Sequence, residues 1–240
     1  MKAELLLREG KLDEAVEVLG EQLRDDPTDN RSRTFLFELL CFRGDYDRAS
    51  GHLKLLGSRS KDAGVGALLY EGALHAERLR MGMFRDNDLP GPLPEDASKF
   101  TGTLNGSGFT SLTDADPRIG ARLEVFAAGD YLWIPFSQIA SIEMKAPVRL
   151  RDLLWASAVV NMGPRYQQRD LGEVLLPVLC PLSCDHPDDQ VRLGRVSEWC
   201  RDEQGRELPY GQKMLLVDGE EFPFLEIRKL EIVQAAAAEG

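Results

Sequence analysis

Gly10-Lys11-Leu12-Asp13-Glu14-Ala15 and Gly44-Asp45-Tyr46-Asp47-Arg48-Ala49 are two copies of one phrase, set 34 residues apart. That interval is the tetratricopeptide period, in which each unit is a pair of packed helices. Glycine permits the tight turn between the helices, Leu12 or Tyr46 opens the second helix with an apolar side chain, and small Ala15 or Ala49 lets its backbone approach the first. Surfaces built this way serve as docking platforms rather than reaction centres.

Outward from these phrases, hydrophobic periodicity predicts helices near 2–9, 12–25, 30–43 and 46–57, then a longer one near 62–85. Leu36, Phe37 and Leu40 face the partner helix, which leaves Arg31, Phe35, Glu38 and Phe42 for the concave, partner-binding side. The pattern departs from the usual repeat at Phe37, where a small residue is common, and at Lys61, which replaces the closing proline that Pro27 supplies in the first unit. The last helix carries Gly64, Gly66 and Gly72 beside Ala67, Ala73 and Ala76, despite a propensity cost of roughly 1 kcal/mol per glycine. Its backbone is therefore expected to approach a flat neighbour closely.

Proline and glycine then concentrate over 87–117, which reads as a connector. From Leu123 the period becomes extended: Leu123 to Phe126, a turn through Gly129-Asp130, and Tyr131 to Phe136 read as a β-hairpin. Met214 to Val217, Asp218-Gly219 and Phe222 to Leu225 repeat the design. The echo continues in the frame Pro-Phe-x-x-Ile-x-x-aliphatic-Glu, which fits both Pro135 to Glu143 and Pro223 to Glu231. Extended segments near 156–162 and 172–179, and a short helix from Asp152, lie between. The expected fold is α+β, with tetratricopeptide-like helical hairpins in 1–86, a connector over 87–117, a mostly antiparallel, curved β-rich domain in 118–233 and a flexible tail over 234–240.

With 240 residues, 43% of them apolar, the chain is long enough for packed cores. Its net charge is −11, with 14 Lys+Arg against 16 Asp+Glu in residues 1–86 and 15 against 24 in the remainder. Such a balance disfavours nucleic acid and anionic lipid as partners. Four irregularly spaced cysteines suggest no disulfide framework, and charge interrupts the first residues before a secretory apolar segment forms, so a cytoplasmic location is expected.

The phosphate-loop, dinucleotide, zincin and nucleophile-elbow patterns are absent. The nearest approach to a reactive site is Cys180-Pro181-Leu182-Ser183-Cys184-Asp185-His186 with Cys200 beyond it, a set able in principle to hold zinc or to form a thiol-dependent enzyme. The spacing is not that of a usual zinc knuckle, and Cys180 ends an apolar strand where a small core residue fits. Asp114-Ala115-Asp116-Pro117-Arg118 reads first as a capped turn with a local ion pair. No metal, cofactor or catalytic residue is expected.

Several phrases of the second half occur in a specific order: Leu104-Asn105-Gly106, Asp114 to Gly120, Gly129 to Phe136, Arg151-Asp152-Leu153-Leu154-Trp155 and Arg192 to Trp199. With the N-terminal helical repeat, they resemble the ImpE family, also called TagJ or SciE, accessory proteins of bacterial type VI secretion. One departure is Cys180, where relatives tend to carry an aromatic residue. The resemblance implies a non-enzymatic cytoplasmic adaptor that binds the N-terminal helix of the small sheath subunit and is linked to the AAA+ unfoldase that recycles contracted sheath. A general tetratricopeptide scaffold for unrelated partners is the other binding reading.

Overall fold

The computed structural model describes residues 2–94, 97–169, 171–202 and 204–233. The expected tail, 234–240, lies outside them. Five helices come first: α1 Lys2–Arg8, α2 Leu12–Asp25, α3 Asn30–Phe42, α4 Tyr46–Gly57 and α5 Lys61–Asp86. Gly10 and Gly44 take left-handed backbone, with φ of 78° and 74°, to turn α1 into α2 and α3 into α4. Asp29 caps α3 by accepting from the backbone N–H of Arg31 and Ser32, and Ser60 caps α5 through Ala63.

Ten strands form one open sheet: β1 Lys99–Leu104, β2 Ser107–Asp114, β3 Arg122–Ala127, β4 Asp130–Pro135, β5 Ile139–Met144, β6 Trp155–Met162, β7 Gly172–Pro177 and, after a separate two-stranded ribbon of β8 Glu198–Arg201 and β9 Glu207–Tyr210, β10 Met214–Val217, β11 Glu220–Pro223 and β12 Lys229–Ile232. A short helix, α6 Asp189–Arg192, precedes the ribbon. Every pairing is antiparallel.

The repeated Pro-Phe frame explains how the sheet is joined. Each copy makes a short 3-10 turn, Phe136–Gln138 or Phe224–Glu226, and then enters β5 or β12. Those strands pair with Leu230 opposite Ile142, two positions that correspond in the frame. From that pair outward the strand order reads β5-β6-β7-β3-β4 on one side and β12-β1-β2-β10-β11 on the other. The sheet is therefore two five-stranded units of equivalent order, the second assembled from both ends of the β-rich region.

Within the stretch read as a connector, residues 99–104 and 107–114 are strands β1 and β2 in the middle of the sheet. The turn between them is Asn105-Gly106, with φ of 49° and 89°. Asn-Gly is a strong signal for a two-residue turn of this hand. Gly102 is required there, because a Cβ would lie 2.2 Å from the Glu231 carbonyl and 2.5 Å from the Phe109 ring. The first hairpin turn of the next pair falls at Ala128-Gly129, one residue earlier than expected.

One apolar cluster lies within the sheet, including Phe136, Ile142, Phe224 and Leu230. A second joins the helices to the sheet, packing Leu36, Phe42 and Leu74 with Phe126, Leu154, Trp155 and Leu175. At this junction Arg80 of α5, 1% exposed, donates from Nε and Nη2 to Glu124 of β3 at 2.7 and 3.0 Å, from Nη1 to Glu77 at 3.0 Å and from Nη2 to the Leu179 carbonyl at 2.9 Å. Lys213 and the Tyr131 hydroxyl also donate to Glu124, Lys213 reaches Asp114 at 2.6 Å, and the Trp155 indole donates to Glu77 at 2.9 Å. Burial alone would raise the Glu124 carboxyl, but the Arg80 and Lys213 charges overcome it and hold the group at about 2. Asp114 goes the other way: burial, only partly offset by Lys213, lifts it to about 6.

Truncating one member of such a network strands the rest without partners. Arg80→Leu is expected to lower unfolding stability by about 3–5 kcal/mol in urea titration, because Glu77 and Glu124 lose their main counter-charge. Ala128 presents the opposite case, an exposed alanine at φ 53°. Asparagine tolerates that conformation better, so Ala128→Asn is expected to raise the same stability by about 0.5–1 kcal/mol.

Candidate partner-docking site

Arg31, Phe35, Glu38 and Phe42 do share one side of α3, but that side is not an open groove. Phe42 is 1% exposed and Glu38 7%, and Phe35 is half-buried against the junction core. Glu38 lies 3.1 Å from Arg151 Nε, and its carboxyl is pushed up by burial against the pull of that guanidinium. Arg31 is exposed and pairs with Glu4 at 3.0 Å. The physical reason is the β-rich region, whose 3-10 segment Leu150–Leu153 and strand β6 fill the concavity that an isolated repeat pair would leave free. Glu38 and Phe42 are thus part of the junction and unavailable to a partner helix.

The cysteine set is also divided. Cys180 is 2% exposed, with Sγ 3.7 Å from the Gln212 carbonyl, and burial pushes its thiol up. Cys184 sits against Gly44 of the helical turn, where burial and then Asp185 raise its thiol to about 11. His186 and Cys200 do meet, together with Glu198, their candidate ligand atoms lying within 4.8 Å of one another. The His186 Nδ1 accepts from the Asp188 backbone N–H at 3.1 Å, which puts the proton of the neutral ring on Nε2, 3.5 Å from Glu198. That tautomer turns its N–H toward the carboxylate and leaves the ring no free lone pair for a metal.

The segment around this set has a structural task that its sequence did not disclose. Asp189 accepts from the Leu12 backbone N–H at 2.7 Å, Arg192 pairs with Asp13 at 3.0 Å, and Arg195 donates to the carbonyls of Leu7 and Arg8 at 2.6 and 3.1 Å. A Cβ on Gly10 would collide with Gln190, and one on Gly44 would meet Cys184 Sγ at 2.9 Å. The two glycines that define the repeat therefore also seat the loop of the β-rich region. Asp116 and Arg118 pair locally at 2.6 Å.

What remains open lies on the other side of α5. Val65, Leu68 and Leu69 are 72%, 75% and 53% exposed, and Val148 is 88% exposed across from them. Two depressions of about 400 and 470 Å³ run past these residues. They share Leu69 and Leu175 and so form one trough beside α5. Apolar residues at i, i+3 and i+4 were legible in the sequence as a helix stripe, but a stripe alone does not disclose which of two faces is covered. Exposed apolar surface of this kind on a folded chain marks a contact site.

These placements predict thiol reactivity. In the native state Cys200 is expected to react with Ellman's reagent well before Cys41, Cys180 and Cys184, whose thiols are raised by burial, whereas all four react at once in denaturant. Mass mapping of the first modified site checks the order.

The ImpE protein family model matches residues 106–231, more than half of the chain. The type VI secretion system accessory component TagJ of Pseudomonas aeruginosa is 32% identical, across 96% of this chain and 91% of its own length. The crystal structure of protein VPA1032 from Vibrio parahaemolyticus has the same fold, with a TM-score of 0.83 at 23% identity and full coverage of both chains. Two helical repeat units, a doubled antiparallel sheet and this similarity along almost the whole length make the chain a member of the ImpE family.

Proposed function

We propose that the chain is a non-enzymatic cytoplasmic adaptor of a bacterial type VI secretion system, which holds the N-terminal helix of the small sheath subunit and assists the AAA+ unfoldase in handling the sheath. The observation that carries this reading is the relative described as a type VI secretion accessory component, similar over 96% of this chain. The geometry is in keeping with it. Arg80, Glu124 and Lys213 in the interior are committed to one another at the junction of helices and sheet, while Val65, Leu68, Leu69 and Val148 stand exposed beside α5. Among the described residues no helix is long and apolar enough to cross a membrane.

The enzyme reading needs Cys180, Cys184, His186 and Cys200 to converge, and only His186 and Cys200 do so. Titration calorimetry tests the adaptor reading directly. The purified small sheath subunit is expected to bind with a dissociation constant in the micromolar range or below, and removal of its N-terminal helix is expected to abolish the signal. A full-length subunit that gives no binding would overturn the reading.

A further inference from the structure

We infer that the trough beside α5 is the docking site, and that its occupant is an amphipathic helix bearing carboxylates along its flanks. The inference rests on the adaptor reading and gives it a location and a chemistry. The apolar floor comes from Val65, Leu68, Leu69 and Val148, all more than half exposed. No side chain of the chain itself covers Gly66, since a Cβ built there would meet nothing within 4 Å. A partner can therefore come close to the backbone of α5.

Charge selects the partner. The chain carries −11 overall, yet the trough is bordered by Lys145 and Arg149. Among the described residues neither Lys145 nor Arg149 makes an ion pair. Asp152, the carboxylate in the same wall, accepts from the backbone N–H groups of Val148 and Arg149, both at 2.8 Å. Two cations without an ion-pair partner beside an apolar floor call for apolar anchors flanked by acid.

The backbone selects the partner's conformation. The strand residues in the wall, Ala156 and Ser157, are paired to Leu176 and Leu175, and the N–H groups of Val148 and Arg149 are satisfied by Asp152. An extended peptide would thus find little ladder to extend, and a helix, which satisfies its own backbone, fits the trough better.

The experiment titrates purified small sheath subunit against the parent chain, Leu68→Asp, Arg149→Glu and, as a control away from the trough, Arg31→Glu, each first matched for melting temperature. Leu68→Asp and Arg149→Glu are expected to weaken binding at least about tenfold, Arg31→Glu to leave it unchanged, and added salt to weaken the parent. If the subunit binds and both trough variants bind as tightly as the parent, this inference fails and the adaptor reading stands. If the subunit does not bind at all, the adaptor reading fails, and the trough is decided by hydrogen exchange with a synthetic leucine–glutamate helix and its leucine–lysine counterpart. Protection of 63–69 by the acidic helix alone supports the inference, and equal or absent protection overturns it. Dissociation of a dimer by the trough variants alone would make the trough an interface between copies of the chain and would also overturn it.

Discussion

Arg80 and Glu124 hold the molecule together where its two kinds of structure meet. Arg80 comes from the C-terminal part of α5 and Glu124 from β3, and both are at most 1% exposed. A guanidinium buried in that position needs acceptors, and here Glu124, Glu77 and the Leu179 carbonyl take four hydrogen bonds from its three nitrogens. Lys213 and Asp114 extend the network into β10 and β2. Apolar packing between helices and sheet tolerates small slides, but an interlocked set of buried charges tolerates few, so the network fixes which turn of α5 lies over which strand. Whether such charges add net stability is a separate matter from the registration that they impose.

Much of the fold was legible in the sequence because its signals are local. The 34-residue spacing of Gly10 and Gly44 located the helical pairs, and Asp218-Gly219 located a hairpin turn. The Pro-Phe frame foretold that two parts of the sheet are alike, although not that Ile142 and Leu230 face each other across its middle. Asn105-Gly106 carried an equally local signal and was passed over, because Gly102 and Gly108 made the flanking strands look like loop. Gly102 answers to a neighbour, the Glu231 carbonyl, that is remote in sequence.

The candidate site was less legible for the same reason. Repeat logic assigned Phe42 to an open face, and it would be open in an array of helical pairs standing alone. Here Leu154 and Trp155 arrive from more than 100 residues away and close it. The exposed stripe of α5 is the complement of that event: once one side of the helical layer is covered, the surface left over lies on the other. A sequence reports that α5 has apolar residues on several sides, and only the packing reports which side is left without a neighbour.

The assembly of the second five-stranded unit bears on how the protein emerges from the ribosome. One unit, β3 to β7, is continuous in the chain, and its strands can pair as they appear. The other needs β1 and β2 to wait for β10, β11 and β12, with Thr103 finally pairing Glu231 at a separation of 128 residues. Until then the β1–β2 hairpin holds two unsatisfied edges and half of an apolar face, and closing so long a loop is slow relative to local pairing. The strand that shields the centre of the sheet, β12, is thus made after all its neighbours, which makes its synthesis the moment at which a nascent, aggregation-prone sheet becomes a sealed one.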